Sequence, residues 1–146
     1  MIRLGVPADL PALRDIFRRA SLSNAGDRDN LLANPKYLIL RPDGLAEGRT
    51  YVAEEGGSIA GFATWSYADG ITELEDLFVD PNRTRRGIAS MLVSHIAAVL
   101  NAQGVGRLEV TASPDALAFY RAAGFVDCGV AETEFGTAPR MVLALG

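Results

Sequence analysis

The sequence predicts an α/β fold, classed as α+β in some schemes, in which helices flank both faces of a mixed central sheet. Three observations lead to it: β-type and helical patterns alternate along the 146 residues, Gly and Pro mark the ends of most of these patterns, and no repeat or low-complexity tract is present. The β-type runs give a sheet of about six to seven strands. A chain of this length can bury one self-sufficient core, so residues 1–146 are expected to form a single domain.

The N-terminal third is predicted to contain one strand and two helices. "IRLG" is a short apolar run, and "VPADLPAL" is a helix start in which Asp9 accepts hydrogen bonds from free amides and Pro11 occupies the first turn. Apolar residues then recur at helical spacing at Leu10, Leu13, Phe17 and Ala20. "RDNLLANP" predicts a short second helix closed by Pro35, and residues 37–49 are predicted to be irregular.

Three β-type runs follow. "TYVAEEGGSIAGFATWSY" predicts a hairpin that turns at Glu55, Gly56 and Gly57. "ITELEDLFVDP" predicts a third strand, stopped by Pro81. Alternation along this strand places four residues on one side: Glu73, Glu75, Leu77 and Val79.

The C-terminal part alternates helix and strand. A helix is predicted over residues 87–103, followed by the strand "RLEVTAS" and by the helix "PDALAFYRAAGF", which ends at Gly124. "VDCGVAETEF" and "RMVLAL" are predicted to form a closing hairpin around Gly136 and Pro139.

Composition argues against several classes of function. The net charge of −4 opposes general binding of nucleic acid, which needs a basic face. No apolar run approaches the roughly 20 residues that cross a bilayer, and the N-terminus lacks the apolar core of a signal peptide. The one cysteine cannot form an internal disulfide. We therefore expect a cytoplasmic protein without a membrane anchor, and we predict no metal site.

Positive charge gathers at one helix entrance, "RTRRGIAS" at residues 83–90. Free amides at a helix start suit a phosphate group, and Gly87 and Ala89 are small enough to let a ligand approach the backbone. Long-range attraction for an anion is expected from Arg83, Arg85 and Arg86. The alternative is a solvated basic turn. The absence of Gly-Lys-Ser/Thr and of G-x-G-x-x-G argues against a nucleoside triphosphatase and a dinucleotide site.

Two segments carry a resemblance to a known family. "LEDLFVDPNRTRRGIASMLVSHI" resembles the acetyl-CoA-binding segment of the GCN5-related N-acetyltransferases (GNAT), whose Gln/Arg-x-x-Gly-x-Gly/Ala pattern corresponds to "TRRGIA". "SPDALAFYRAAGF" resembles the later segment of the same family. The resemblance covers essentially the whole chain. It implies an acetyl-CoA-dependent N-acetyltransferase that moves an acetyl group to a primary amine of a small molecule or peptide by direct attack in a ternary complex.

The resemblance also implies which residues bind coenzyme A. The backbone cradle for the pyrophosphate consists of Arg85, Arg86, Gly87, Ile88, Ala89 and Ser90. The pantetheine arm pairs with the main chain of Leu77 and Val79, on either side of Phe78, as an added strand pairs with a sheet edge. Ser113 stands where the family often has Asn, and it can still hydrogen-bond. Thr84 replaces the usual Gln or Arg, so weaker cofactor binding at most, and not its absence, is expected.

Acetyl transfer to an amine needs a base for the amine and a proton for the departing thiolate. Tyr120 matches the tyrosine that the family often places beside the coenzyme sulfur, and it is the predicted general acid; packing of the helix on the sheet is the alternative. Glu73 and Glu75 are the candidate bases, with attraction of a cationic substrate or simple solvation as alternatives. The N–H of Val79 is expected to polarise the thioester carbonyl.

Four other residues are expected to be structural. His95 is predicted to pack, and Cys128 to be a small buried hydrophobe. Trp65 and Tyr67 are predicted to pack in the core, with a place in an acceptor pocket as the alternative.

The acceptor is expected to bind beside the segment 23–48. Loops carry specificity, and this segment contains four acidic residues that favour a cationic amine: Asp27, Asp29, Asp43 and Glu47. A homodimer is left open.

Two other functions compete with acetyl transfer. One is a non-catalytic acyl-CoA sensor or interaction module on the same fold, which Thr84 and Ser113 favour and Tyr120 opposes. The other is a modifier of a macromolecular amine, although the acidic charge disfavours nucleic acid as its target.

Overall fold

A computed structural model describes residues 1–23, 25–133 and 136–146, without the side chains of residues 25–27. Five α-helices lie within these residues: α1 (Leu10–Ser23), α2 (Ala25–Ala33), α3 (Asp43–Ala46), α4 (Ile88–Ala102) and α5 (Leu117–Ala122). Seven strands are described: β1 (Ile2–Leu4), β2 (Thr50–Glu55), β3 (Ser58–Ala68), β4 (Ile71–Val79), β5 (Arg107–Thr111), β6 (Val126–Thr133) and β7 (Gly136–Ala144). Short 3-10 turns precede or follow several of them, at Pro7–Asp9, Pro35–Leu38, Pro81–Arg83 and Pro114–Ala116.

The described strands form one mixed sheet in the order β1-β2-β3-β4-β5-β7-β6. β1 with β2, β2 with β3, β5 with β7 and β6 with β7 pair antiparallel, whereas β4 and β5 pair parallel with Glu73 opposite Glu109. The parallel pair requires a crossover connection, and α4 lies in that connection. The predicted mixed α/β sheet and its number of strands are confirmed.

The chain divides into two compact units, Met1–Thr64 with Asp76–His95 and Trp65–Glu75 with Ile96–Gly146. In the first unit a buried cluster joins α1, the segment before β2 and the strands β2 and β3, through Leu13, Ile16, Leu40, Leu45, Val52 and Phe62. In the second unit the fully buried side chains include Leu108 and Met141. The single domain stays a prediction.

Asp9 accepts a hydrogen bond from a free amide, as predicted: its carboxylate accepts from Val6 N–H at 2.9 Å, at the start of the 3-10 turn that precedes α1, and it also pairs with Arg3 at 2.9 Å. Two local predictions are wrong. Residues 37–49 are not all irregular, since they contain the end of a 3-10 turn and α3. Pro139 lies inside β7 opposite Val130 rather than in a turn. A proline lacks only the N–H, and the Pro139 carbonyl still accepts from Ala112 N–H at 2.9 Å.

Candidate active site

The end of β4 presents its backbone in a defined direction. Asp80 N–H donates to Ala60 O of β3 at 2.8 Å. Backbone groups of neighbouring residues in a strand point to opposite sides, so the N–H and C=O of Leu77 and Val79 face away from β3. This is the orientation that the predicted pairing with a pantetheine arm requires.

Gly61 allows β3 and β4 to approach where the site begins, and sequence reasoning missed it. A Cβ at Gly61 would lie 2.9 Å from Phe78 O and 3.2 Å from Ile88 Cγ2. The distance to the backbone oxygen is too short for a Cβ, so a larger residue would push β4 away from β3. The available signal was a glycine inside a strand pattern, which often marks a close backbone approach.

The start of α4 offers free backbone donors. The first hydrogen bond of this 15-residue helix runs from Met91 N–H to Gly87 O at 3.0 Å, so the amides of Ile88, Ala89 and Ser90 have no acceptor within the helix. Such amides carry partial positive charge and point out of the helix end. They form the arrangement that binds a phosphate group.

The loop before α4 is held in a left-handed conformation at two positions. Gly87 has a φ of +75°, and a Cβ built on it would meet nothing within 4 Å. Arg85 has a φ of +64°, which is uncommon for a residue with a side chain. The open space over Gly87 is therefore available to a ligand that approaches the free amides.

Two of the three arginines brace this loop instead of facing an anion freely. Arg83 donates to Glu55 O at 3.0 Å and to Ser58 Oγ, and Arg86 pairs with the Glu55 carboxylate. Both therefore tie the loop to the β2–β3 hairpin. Arg85 is exposed and makes no side-chain hydrogen bond or ion pair to the described residues. Attraction of an anion depends mainly on Arg85.

A buried carboxylate fixes the turn between β4 and this loop. Asp80 is 8% exposed, pairs with Arg19 of α1 at 2.8 Å and accepts from Asn82 N–H at 2.9 Å. The Arg19 guanidinium, helped by the Asn82 amide, lowers the pKa of Asp80. Sequence reasoning missed this pair because its members are 61 residues apart.

A pocket of about 300 Å³ lies beside the same turn in the first unit. It is lined by Arg19, Leu22, Ser23, Arg28, Pro81 and Asn82. Of its two arginines, Arg19 is paired with Asp80 and Asp15, whereas Arg28 donates to Leu22 O at 3.1 Å. Of the acidic residues predicted to attract a cationic acceptor, Asp43 pairs with Arg41 at 2.8 Å and Glu47 with Arg49 at 2.7 Å. The side chain of Asp27 lies outside the described part of the chain.

In the second unit Tyr120 of α5 is 7% exposed. Its ring packs edge-on against Phe119 and Phe125, with centroids 5.2 Å away in each case. Burial raises the pKa of Tyr120 from the usual 10 to about 12, so the phenol stays protonated at neutral pH. Its hydroxyl has no hydrogen-bond partner in residues 1–23, 25–133 and 136–146. The ring of Tyr120 therefore packs in the protein interior, and its protonated hydroxyl can still donate a hydrogen bond to a ligand.

Ser113 is exposed at the start of the 3-10 turn that leads to α5. Its carbonyl accepts from Ala116 N–H at 3.0 Å, but its hydroxyl caps nothing. The hydroxyl is therefore available for a ligand.

The two candidate bases differ in their surroundings. Arg140 of β7 pairs with Glu73 and also donates to Glu109 Oε1 at 3.0 Å. Glu75 is exposed to solvent. Glu73 thus belongs to a cluster of charges with Arg140 and Glu109.

Among the residues expected to be structural, one prediction is confirmed and two are wrong. His95 is half-buried and packs against Tyr51, with ring centroids 4.8 Å apart, as predicted. Cys128 is exposed and Tyr67 is 63% exposed, so the predicted burial of both is wrong. Alternation of apolar residues cannot distinguish a covered strand from β6, which is the edge of the sheet.

A family model described as "Acetyltransferase (GNAT) family" matches residues 10–125. The chain belongs to the GNAT family. Streptothricin acetyltransferase of Streptomyces lavendulae is 38% identical over 91 residues, which are 58% of this chain and 48% of that protein. Mycothiol acetyltransferase of Clavibacter michiganensis subsp. michiganensis is 34% identical over 112 residues, 72% of this chain and 33% of that protein. The chain thus spans about half the length of the first relative and a third of the second.

Solved GNAT structures share this fold. The phosphinothricin acetyltransferase (Pat) of Sinorhizobium meliloti, solved in complex with acetyl-CoA, aligns with a TM-score of 0.74 at 20% identity, over 100% of this chain and 88% of that one. The alignment confirms the GNAT-type fold that the resemblance implied. No helix among the described residues is long and apolar enough to cross a membrane, and no cluster of three metal-binding side chains occurs there.

In this GNAT chain the predicted site residues fall into two groups. The first unit holds the backbone of Leu77–Val79 and the loop with the start of α4, at residues 85–90. The second unit holds Glu73, Glu75, Ser113 and Tyr120. Each group has a well-defined geometry within its own unit.

Replacing Asp80 with Asn is expected to lower the free energy of unfolding by about 2 kcal/mol at pH 7, because Arg19 loses a charged acceptor. The matched control is Asp15→Asn: Asp15 binds the same arginine at 2.9 Å but is 62% exposed, so we expect a loss below about 0.5 kcal/mol. The lowered pKa of Asp80 means that its contribution is present above about pH 4 and is lost as the pH falls through that pKa. Urea unfolding at pH 7 and pH 3 measures both effects, and equal losses in the two variants would contradict them.

Proposed function

We propose that this chain is an acetyl-CoA-dependent N-acetyltransferase that moves an acetyl group to a primary amine of a small molecule or peptide by direct attack in a ternary complex. The observation that carries the proposal is the start of α4. The amides of Ile88, Ala89 and Ser90 have no acceptor within the helix, and they directly follow Gly87, whose left-handed backbone leaves open space where a Cβ would be. Family membership and the acetyltransferase names of the relatives support it.

The residues present fit coenzyme A. The amides of residues 85–90 would hold the pyrophosphate, with Arg85 adding charge, and the backbone of Leu77 and Val79 would hold the pantetheine arm. The Ser113 hydroxyl is free to accept or donate a further hydrogen bond. Acetyl-CoA supplies the activated acetyl group and a thiol leaving group.

Tyr120 supplies a hydrogen-bond donor for the leaving thiolate. With a pKa of about 12 it stays protonated throughout the physiological range. Because a thiol has a pKa of about 8.5, complete transfer of the phenol proton to a thiolate is uphill. Tyr120 Oη therefore stabilises the departing sulfur mainly by donating a hydrogen bond to it, and Val79 N–H polarises the carbonyl.

Glu73 is the better placed of the two candidate bases. An alkyl amine has a pKa of about 10.4, so at neutral pH most amine molecules are protonated. Each of these must lose a proton before its nitrogen can attack. Arg140 engages only Oε1 of Glu73, which leaves Oε2 to accept that proton directly or through water. Glu75 lies on the same side of β4 and remains the alternative.

In the pocket beside the turn, Arg28 makes no ion pair with a described residue, so its charge favours an acceptor amine that also carries an anionic group. The relatives are named for different acceptors, so their names do not choose among amines. The Arg28 charge favours an amino acid or a peptide with a carboxylate over a polyamine.

Two measurements test the proposal together. We expect acetyl-CoA to stabilise the chain in a thermal-shift assay, and free thiol to be released with at least one acceptor from a panel of amino acids, their amides, polyamines, aminoglycosides and peptides. An amino acid should be used better than its amide. Stabilisation without thiol release for any acceptor would instead support the acyl-CoA sensor, and no stabilisation would contradict coenzyme binding itself.

The cytoplasmic location and the homodimer stay predictions. Cell fractionation tests the first. Light scattering of the purified chain tests the second.

A further inference from the structure

Three strands of the second unit bring a cluster of charges together on the sheet. Glu73 of β4 lies opposite Glu109 of β5, and Arg140 of β7 lies opposite Thr111 of β5. The Arg140 guanidinium donates through Nη1 to Glu73 Oε1 and to Thr111 Oγ1 at 2.7 Å, and through Nη2 to Glu109 Oε1 at 3.0 Å. One arginine therefore links both carboxylates across three strands.

The cluster is enclosed except at one carboxylate. The side chains of Arg140 and Glu109 are 18% and 15% exposed, whereas that of Glu73 is 34% exposed. Burial opposes the charge of Arg140, but the hydrogen bonds to Glu73 and Glu109 outweigh it and raise the pKa of Arg140. The guanidinium thus stays charged and fixed.

The oxygens of the two carboxylates are used differently. Glu109 gives Oε1 to Arg140, and its Oε2 lies 3.6 Å from Arg107 Nε. Glu73 gives only Oε1, and its Oε2 makes no hydrogen bond to any described residue. The carboxylate oxygen without a partner therefore belongs to Glu73, the most exposed side chain of the three.

We propose that Arg140 is a positioning residue, which holds Glu73 so that Oε2 points to solvent and can accept the proton of the acceptor amine, and that Glu109 holds Arg140 in place. In that step an N–H bond of the ammonium breaks, its electron pair stays on nitrogen, and an O–H bond forms at Oε2. The proposal rests on the proposed acetyl transfer for its meaning, but the geometry of the cluster can be tested without it.

Removal of Arg140 and removal of the Glu109 charge are expected to shift the ionisation of Glu73 in opposite directions. The charged groups that face Glu73 are Arg140 of β7 and Glu109 of β5, with Arg107 beyond Glu109 and Glu75 along β4. Without Arg140, Glu73 and Glu109 confront each other as like charges, which makes ionisation harder. Without the Glu109 charge, Arg140 pairs with Glu73 alone, which makes ionisation of Glu73 easier.

The experiment compares R140Q and E109Q with the wild type and with R121Q. Arg121 is a matched control because it lies in the same unit, is 56% exposed and pairs with Asp127 at the surface. The acid limb of kcat/KM against pH is expected to move up by about one pH unit in R140Q and down in E109Q, and to stay in place in R121Q. Near pH 7 we expect R140Q to lower kcat/KM about tenfold and R140K, which keeps the charge without the fork, to restore part of it.

A second readout needs no activity. The carboxyl carbon of Glu73, labelled with ¹³C and followed by NMR, should titrate at higher pH in R140Q and at lower pH in E109Q. Unmoved titration in both variants, or a loss of kcat/KM by the same factor at every pH, would overturn the positioning role. If the wild type transfers no acetyl group but the Glu73 titration moves in the two variants as expected, the proposed function is contradicted and the positioning of Glu73 by Arg140 still holds. If R140Q does not fold, E109Q alone carries the test.

Discussion

Replacing Tyr120 with Phe is expected to lower turnover more than about tenfold while acetyl-CoA binding changes less than about twofold. The phenyl ring keeps the contacts with Phe119 and Phe125, so only the hydroxyl is lost. That hydroxyl is the group that meets the departing sulfur in the proposed reaction. The effect should therefore appear in kcat and not in the KM for acetyl-CoA.

Tyr51→Phe is the matched control. It removes a hydroxyl from a tyrosine in the first unit, which contacts His95 and belongs to no proposed step. Steady-state kinetics of both variants, at saturating acceptor, separate the two roles of Tyr120. If Y120F turns over as fast as Y51F, Tyr120 only packs α5 and does not act on the departing sulfur.

The raised pKa of Tyr120 also has a consequence for stability. The folded state favours the protonated phenol, so its contribution is complete below pH 10, the usual pKa, and is lost as the pH rises towards about 12. Y120F should consequently lose less stability than the wild type over that interval, measured by urea unfolding.

Replacing Gly87 with Ala is expected to weaken acetyl-CoA binding at least about tenfold. The new methyl group would enter the open space over the free amides, where the pyrophosphate is proposed to lie. The left-handed φ of +75° adds a strain of about 1 kcal/mol, which lowers stability independently of the ligand.

Gly104→Ala separates steric interference from strain. Gly104 follows the other end of α4, has a φ of +83°, and a Cβ there would also meet nothing within 4 Å. We expect both variants to lose about 1 kcal/mol of unfolding free energy, but only G87A to lose affinity in calorimetric titration with acetyl-CoA. Similar affinities of G87A and G104A for acetyl-CoA would contradict binding of the pyrophosphate at Gly87.

The sequence predicted the parts of the site that depend on local pattern. The β2–β3 hairpin, the helix start at residues 87–88 and the position of Tyr120 follow from turn residues, periodicity and the family motifs. The partners of the arginines could not be predicted in this way. Arg86 reaches Glu55 over 31 residues, and the choice between a phosphate and a carboxylate is made by the fold.

Burial was predicted less well at the edge of the sheet. Cys128 was expected to be a small buried hydrophobe, yet it is exposed on β6, which has a neighbour on one side only. The order of strands decides which apolar residues are covered, and that order depends on long-range pairing.

The exposure of Cys128 affects how activity is measured. A reagent that counts coenzyme thiols will also count this one, because it is the chain's single cysteine and lies at the surface. Each molecule with a reduced Cys128 therefore adds a constant blank of one equivalent, which reports total chain concentration before any acceptor is added. The variant C128S removes the blank, and in the unaltered chain the same sulfur is a unique attachment point for a maleimide dye or spin label.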